Sequence, residues 1–244
     1  MKKQILVVGL FLIFLTSFSQ DKDTFQSDSI YRVNKVKSRT QINIGAYTKQ
    51  TDIIKYDKAG RISEYILTDE SGTKPQNRTV YRYDSNGKLI AEDYFYGSIE
   101  GEKTKIEYDA KNRVIKKSTT YYDNKPKNEI QITYDPIVEF EKQFNREGKL
   151  QSEYYNYYET PNVTNRFTGT DFKPNGQKEI SWDYKYKNTF DNSGNLLKRD
   201  SKQGKQTIQS MEYEYNDKGL LIRKTIKSDF APPIIEEYKY EFWQ

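Results

Sequence analysis

Apolar and charged residues alternate with a period of two through much of this chain. Trp182, Tyr184 and Tyr186 interleave with Asp183, Lys185 and Lys187, and Tyr213 and Tyr215 with Glu212 and Glu214. Thr104, Ile106 and Tyr108 interleave with Lys105 and Glu107. Successive side chains on an extended strand point to opposite faces, so the pattern predicts strands with one apolar and one charged face. The alternating runs end at a recurrent punctuation. It reads Tyr56-Asp57-Lys58-Ala59-Gly60-Arg61-Ile62, then Tyr83-Asp84-Ser85-Asn86-Gly87-Lys88-Leu89, then Tyr108-Asp109-Ala110-Lys111-Asn112-Arg113-Val114. Looser copies begin at Phe144, Phe190 and Tyr215.

Asp or Asn opens each copy and Gly, once Asn112, stands fourth. Those are the demands of a type I turn: an Asx side chain can bond the backbone beyond it, and the fourth position tolerates positive φ. Each unit is therefore a β-hairpin. The expected strands are 41–46, 52–56, 61–67, 79–83, 88–96, 104–108, 113–122, 129–134, 138–144, 149–158, 178–186, 196–198, 207–215, 220–226 and 235–243. A weaker strand is expected at 30–36. Residues 134–176 are irregular: Asp135-Pro136 breaks the turn pattern and Phe172-Lys173-Pro174-Asn175-Gly176 is a degraded copy. The units recur about every 25 residues, a period of stacked repeat architectures. A lone hairpin is marginal in water, so the units must pair edge to edge. The expected fold is all-β, a single-layer antiparallel meander of tandem hairpins, curved or rolled.

The motif Tyr-Asp-x-x-Gly-Arg/Lys-Leu/Ile resembles the YD repeat of the Rhs (rearrangement hot spot) family from about Tyr47 onward, most closely at Tyr56, Tyr83 and Tyr108. In that family such repeats form long spiralling sheets that often enclose a C-terminal toxin. This chain is far too short to wrap a cargo domain. It ends in Tyr238-Lys239-Tyr240-Glu241-Phe242-Trp243-Gln244, with no toxin-like tail. The resemblance implies a repeat sheet, not encapsulation or delivery.

Residues 1–19 read as a secretory signal peptide, with basic Lys2 and Lys3, an apolar run from Ile5 to Leu15, and the small-x-small site Ser17-Phe18-Ser19. That run is too short to span a bilayer, which needs about 20 residues. No Cys follows it, so no lipoprotein anchor is expected. Residues 20–45 read as a leader segment with the first edge strand, and 46–244 as the repeat domain. The expected destination is the periplasm or the exterior, with no membrane span after cleavage. Loss of Lys2 and Lys3 lowers the formal net charge from +5 to +3. With both signs interspersed, that is not a nucleic-acid footprint.

The chain has no His and no Cys. That removes the usual general base near neutral pH, the commonest metal ligand and the thiolate nucleophile, along with Ser-His-Asp, Cys-His and zinc-site chemistry. The Asp-rich turns lack the acidic ligand count and closing Glu of a calcium loop. No cofactor is implied. A carboxylate-pair glycan hydrolase stays open, because it needs only two acids at a defined distance. The aromatic residues carry the remaining signal. Tyr154-Tyr155-Asn156-Tyr157-Tyr158 places rings on both faces of one strand, and a single-layer sheet cannot bury both. Tyrosine also suits a half-buried pleated surface, so each ring has a packing reading beside the binding one. The candidate ligand-binding residues are Tyr154, Tyr155, Tyr157, Tyr158, Trp182 and Tyr184. The leading expectation is an exported, non-catalytic protein binding an envelope glycan or protein. The alternative is a structural or partner-capping protein of the cell envelope.

Overall fold

The computed structural model describes residues 28–45, 49–69, 71–72, 74–160 and 163–244. The expected signal peptide and the start of the leader lie outside the described residues. One short helix, α1 (Asp28–Val33), precedes the strands β1 (Val36–Ile44), β2 (Lys49–Tyr56), β3 (Ile62–Thr68), β4 (Pro75–Tyr83), β5 (Leu89–Tyr96), β6 (Ile99–Tyr108), β7 (Val114–Tyr121) and β8 (Pro126–Asp135). They continue as β9 (Val138–Asn145), β10 (Leu150–Thr160), β11 (Val163–Phe172), β12 (Lys178–Phe190), β13 (Leu196–Gln203), β14 (Gln206–Tyr215), β15 (Leu221–Ser228) and β16 (Ala231–Phe242). Each strand pairs antiparallel with its sequence neighbours, as a meander requires.

The meander does not stay open. β1 pairs with β2 on one side and with β16 on the other, so the sheet closes into a barrel. Closure corrects the expectation of a curved or rolled sheet. Strand periodicity carries no information about whether the first and last strands meet. Residues 30–36 also differ from expectation. They are helical to Val33, and the helix ends at Lys35 in the left-handed region (φ 52°), which redirects the chain into β1.

The turns explain the repeat. Asp57 Oδ1 accepts hydrogen bonds from the N–H groups of Ala59 (2.9 Å) and Arg61 (3.0 Å). The Gly60 N–H returns to the Asp57 carbonyl (2.9 Å), with Gly60 at φ 81°. The same pair of bonds forms at Asp84, Asp109, Asn145, Asp191 and Asn216. A type I turn closed by a left-handed residue adds one residue to a strand, and the ladders show a register shift beside Tyr56, Tyr83, Tyr108, Phe190 and Tyr215.

Five tyrosines tie one hairpin to the hairpin before. Tyr83 Oη donates to the Ile62 carbonyl (2.7 Å) and Tyr108 Oη to that of Leu89 (2.6 Å). Tyr134, Tyr215 and Tyr240 reach the carbonyls of Val114, Leu196 and Leu221 in the same way. The cation after the left-handed turn residue covers the next unit's ring: Arg61 on Tyr83 (4.5 Å), Lys88 on Tyr108 (4.1 Å), Arg113 on Tyr134 (4.6 Å).

The register divides the side chains into two faces. One carries Arg39, Ile54, Ile106, Ser152, Met211, Tyr213, Ile226 and Tyr238, all buried. Among the described residues no second layer covers the sheet, so this burial places them on the inner wall. The other face carries cross-strand ion pairs around the circumference, among them Lys55–Glu64, Arg82–Asp93, Lys142–Glu153, Arg166–Asp183 and Lys227–Glu212. It is the outer surface.

The densest packing lies toward the rim that holds the turns at 57–60, 84–87, 109–112, 191–194 and 216–219. There Leu196, Met211, Tyr213, Leu221, Ile226 and Tyr238 form one apolar cluster, and Tyr31, Val36, Ile54, Tyr56 and Leu220 another. α1 sits in this mouth: Tyr31 stacks on Tyr56 (4.5 Å) and its hydroxyl accepts from Arg39 (3.2 Å).

Residues 134–176 are regular after all, and β11 is a strand that the sequence pattern did not predict. Successive turns of the repeat type are normally two strands apart. Between the turns at 109–112 and 145–148 there are three, so the latter opens at the opposite rim. The turn at 173–176 follows on that rim. β12 alone separates it from the turn at 191–194, which restores the original phase.

Removing one tyrosine hydroxyl tests the tie between units. Tyr108→Phe keeps the ring under Lys88 and loses only the bond to Leu89. It should lower unfolding stability by about 1 kcal/mol in a urea titration. An unchanged midpoint would show that the bond adds no net stability.

Candidate functional site

The longest aromatic row on the inner wall crosses β10, β11 and β12. The register places Tyr154 opposite Gly169 and Gly169 opposite Trp182, while Phe167 stands opposite Tyr184. The rings lie nearly parallel: Tyr154 to Phe167 is 5.7 Å between centroids, Tyr154 to Trp182 is 6.5 Å, and Phe167 to Tyr184 is 6.3 Å. Gly169 makes the row possible. A Cβ there would lie 2.9 Å from both Trp182 Cε3 and Tyr154 Cδ1. A larger residue would push the two rings apart.

A polar margin borders the rings. Asp171 Oδ1 accepts from Ser152 Oγ (2.8 Å) and from Tyr154 Oη (3.3 Å). Burial raises the Tyr154 and Tyr184 hydroxyls above their ordinary range, so both stay protonated donors at neutral pH. Toward the turn rim Tyr158 and Tyr134 flank Glu139. Burial pushes Tyr134 up to about 12 and Tyr158 higher still, with the Glu139 carboxylate adding to both. On the far side of Trp182 and Tyr184 no strand stands in ladder register, because β13 pairs with β12 only from Lys185 onward. The row therefore ends in two rings beside an open step of the wall. Parallel rings edged by hydroxyls and a carboxylate offer apolar surface next to hydrogen-bonding groups, which suits a ligand with an apolar face and many hydroxyls.

The six residues singled out from the sequence do not form one site. Tyr154, Trp182 and Tyr184 meet on the inner wall, with Tyr158 farther along β10. Tyr155 and Tyr157 point outward, where Tyr155 stacks on Phe140 (4.4 Å) and Arg166 lies over Tyr157 (5.2 Å). Ser152, Phe167, Gly169 and Asp171 belong to the inner site and were missed. Three of them lie on β11, whose Thr-Asn-Arg-Phe-Thr-Gly-Thr-Asp run lacks a clear apolar alternation.

A second polar group lies on the inner wall at the seam. Asp52 accepts from Gln50 (3.0 Å), and Lys224 pairs with Glu236 (3.5 Å), which also accepts from Tyr238 (2.6 Å). Burial raises the Asp52 carboxyl above its ordinary value, and the nearby Glu236 raises it further, against the hydrogen bonds from Gln50, Tyr65 and Asn43.

No protein-family model matches the sequence, and no curated protein matches it. Solved structures do. A porin-like protein from Bacteroides uniformis ATCC 8492 aligns at 10% identity over 85% of this chain and 97% of its own, with a TM-score of 0.42. A porin-like protein from Bacteroides vulgatus ATCC 8482 aligns at 11% identity over 84% and 98%, with a TM-score of 0.43. The TcdB2-TccC3 structure aligns at 12% identity over 75% of this chain and 14% of its own, with a TM-score of 0.22.

Two substitutions test the wall. Gly169→Ala should cost about 1–3 kcal/mol through overpacking and shift the tryptophan emission as Trp182 is displaced. Unchanged emission would mean that the rings do not close over Gly169. For Asp52 the sign follows from its raised folded value. The folded protein holds a proton where the unfolded chain has lost it, so ionised Asp52 opposes folding as pH rises through that window. Asp52→Asn should therefore raise Tm at pH 7, with the gain shrinking as pH falls through the raised folded value and vanishing by the ordinary value of 3.8. A gain independent of pH would refute this.

Proposed function

We propose that this protein is an exported, non-catalytic β-barrel of the cell envelope that binds a glycan along its inner wall. The observation that carries the proposal is the row Tyr154–Phe167–Trp182–Tyr184 with Ser152 and Asp171 at its margin. Sugar rings present C–H faces that pack on aromatic surface and hydroxyls that reach carboxylates and tyrosine oxygens. A chain without His or Cys is better equipped for such recognition than for acid–base or nucleophilic work.

The charged exterior supports a barrel surrounded by water. A membrane-spanning barrel turns an apolar band to lipid, where Lys or Arg at mid-depth costs about 2–4 kcal/mol. Here ion pairs such as Lys55–Glu64 and Lys142–Glu153 occupy that face. The likeness of the turn motif to YD repeats fits a repeat scaffold whose walls, rather than an enclosed cargo, do the binding.

A glycan array probed with the mature protein from Gln20 tests the reading. Trp182→Ala with Tyr184→Ala should abolish a hit, while Tyr155→Ala with Tyr157→Ala on the outer face should leave it intact. Loss in the outer variant alone would move the site outside. A blank array with folded protein would refute the glycan.

A further inference from the structure

β12 is paired differently from every other strand. It meets β11 through residues 178–185 and β13 through residues 185–190, so Lys185 alone has ladder partners on both sides. Each of the other strands keeps three or more residues in register with both neighbours, the shortest such run being 235–237 on β16. Residues 178–184 therefore present a seven-residue strand edge to the side where β13 has ended. Lys178, Glu179, Ile180 and Ser181 are exposed in an unbroken run, inner and outer positions alike, whereas from Trp182 onward exposure follows the face of the strand.

We infer that the edge of β12 at residues 178–184 is a docking site for an extended segment of a partner protein, added as a strand beside Trp182 and Tyr184. Unpaired backbone N–H and C=O groups on a strand edge are a template for another strand, and side chains at alternate positions then set the specificity. Here the inner positions are Ile180, Trp182 and Tyr184, and the outer ones are Glu179, Ser181 and Asp183. Asp183 already holds Arg166 across β11 (2.8 Å). The fitting segment has apolar residues facing Ile180 and Trp182 and cationic residues facing Glu179 and Asp183.

A second copy of this chain fits poorly. Antiparallel self-pairing centred on Ser181 would set Glu179 opposite Asp183 twice, and like charges directly opposite destabilise a ladder. The inference is independent of the glycan. It rests on backbone groups and the outer carboxylates and shares only the flank of Trp182 and Tyr184 with the glycan reading, so a peptide that protects 178–184 is read separately from an array hit.

The test is residue-resolved amide hydrogen exchange on the mature protein with two acetylated nine-residue peptides, one alternating Lys and Val, the other Glu and Val. The Lys/Val peptide should slow exchange within 178–184, and the Glu/Val peptide should bind about tenfold more weakly. Glu179→Lys, an exposed position, should remove that preference while the melting temperature holds. Exchange at 178–184 that is unchanged at saturating Lys/Val peptide would overturn the inference, as would protection confined to another edge. Protection that rises with protein concentration in the absence of peptide would assign the edge to a second copy and overturn it equally.

Discussion

The tie between neighbouring hairpins is the constraint on which the rest depends. A single-layer sheet has no second sheet to hold its strands in register, so register must be fixed within the ladder. Each turn fixes it locally with an Asx side chain that takes two backbone N–H groups. The next tyrosine fixes it at longer range by bonding a carbonyl beside the previous bulge. Each such bond is worth about 1 kcal/mol. Where a tyrosine makes this bond, slipping one strand would break bonds in two units at once.

Closure then divides the molecule into two environments. With one layer of backbone, the concave side shelters most of the buried side chains, and the core is correspondingly thin. It is concentrated where β13–β16 meet β1, β2 and α1. The same wall holds buried charge, with Lys224 and Glu236 paired and Asp52 satisfied by amides. Such pairs gain little net stability in a sheltered setting. The outer face is left to ion pairs between neighbouring strands, which add little individually.

The break in the repeat is where a binding surface becomes possible. Three strands between two turns move the punctuation to the opposite rim, and β12 alone brings it back. β12, which carries Asx- or Lys-opened turns of this kind at 173–176 and 191–194, is the longest strand and pairs with β11 and β13 through different halves. That stagger leaves a strand edge and the faces of Trp182 and Tyr184 beside a step in the wall. A regular array would have covered both.

Much of this was legible in the residues themselves. Period-two alternation gave fifteen of the strands in outline, and the Asx-x-x-Gly spacing located the turns, because both depend on local backbone geometry. The aromatic character of β10 and β12 was also plain, but its division between faces was not. Tyr155 and Tyr157 differ from Tyr154 only by alternation, and which parity points inward depends on how the whole sheet curls. β11 escaped notice because its inner positions are Phe167, Gly169 and Asp171, a set chosen by neighbouring rings rather than by strand preference. The residues alone determined a meander of hairpins. Closure through β1, the inward set of rings and the open edge of β12 were decided only in three dimensions, because each depends on pairing between segments whose separation leaves no local trace.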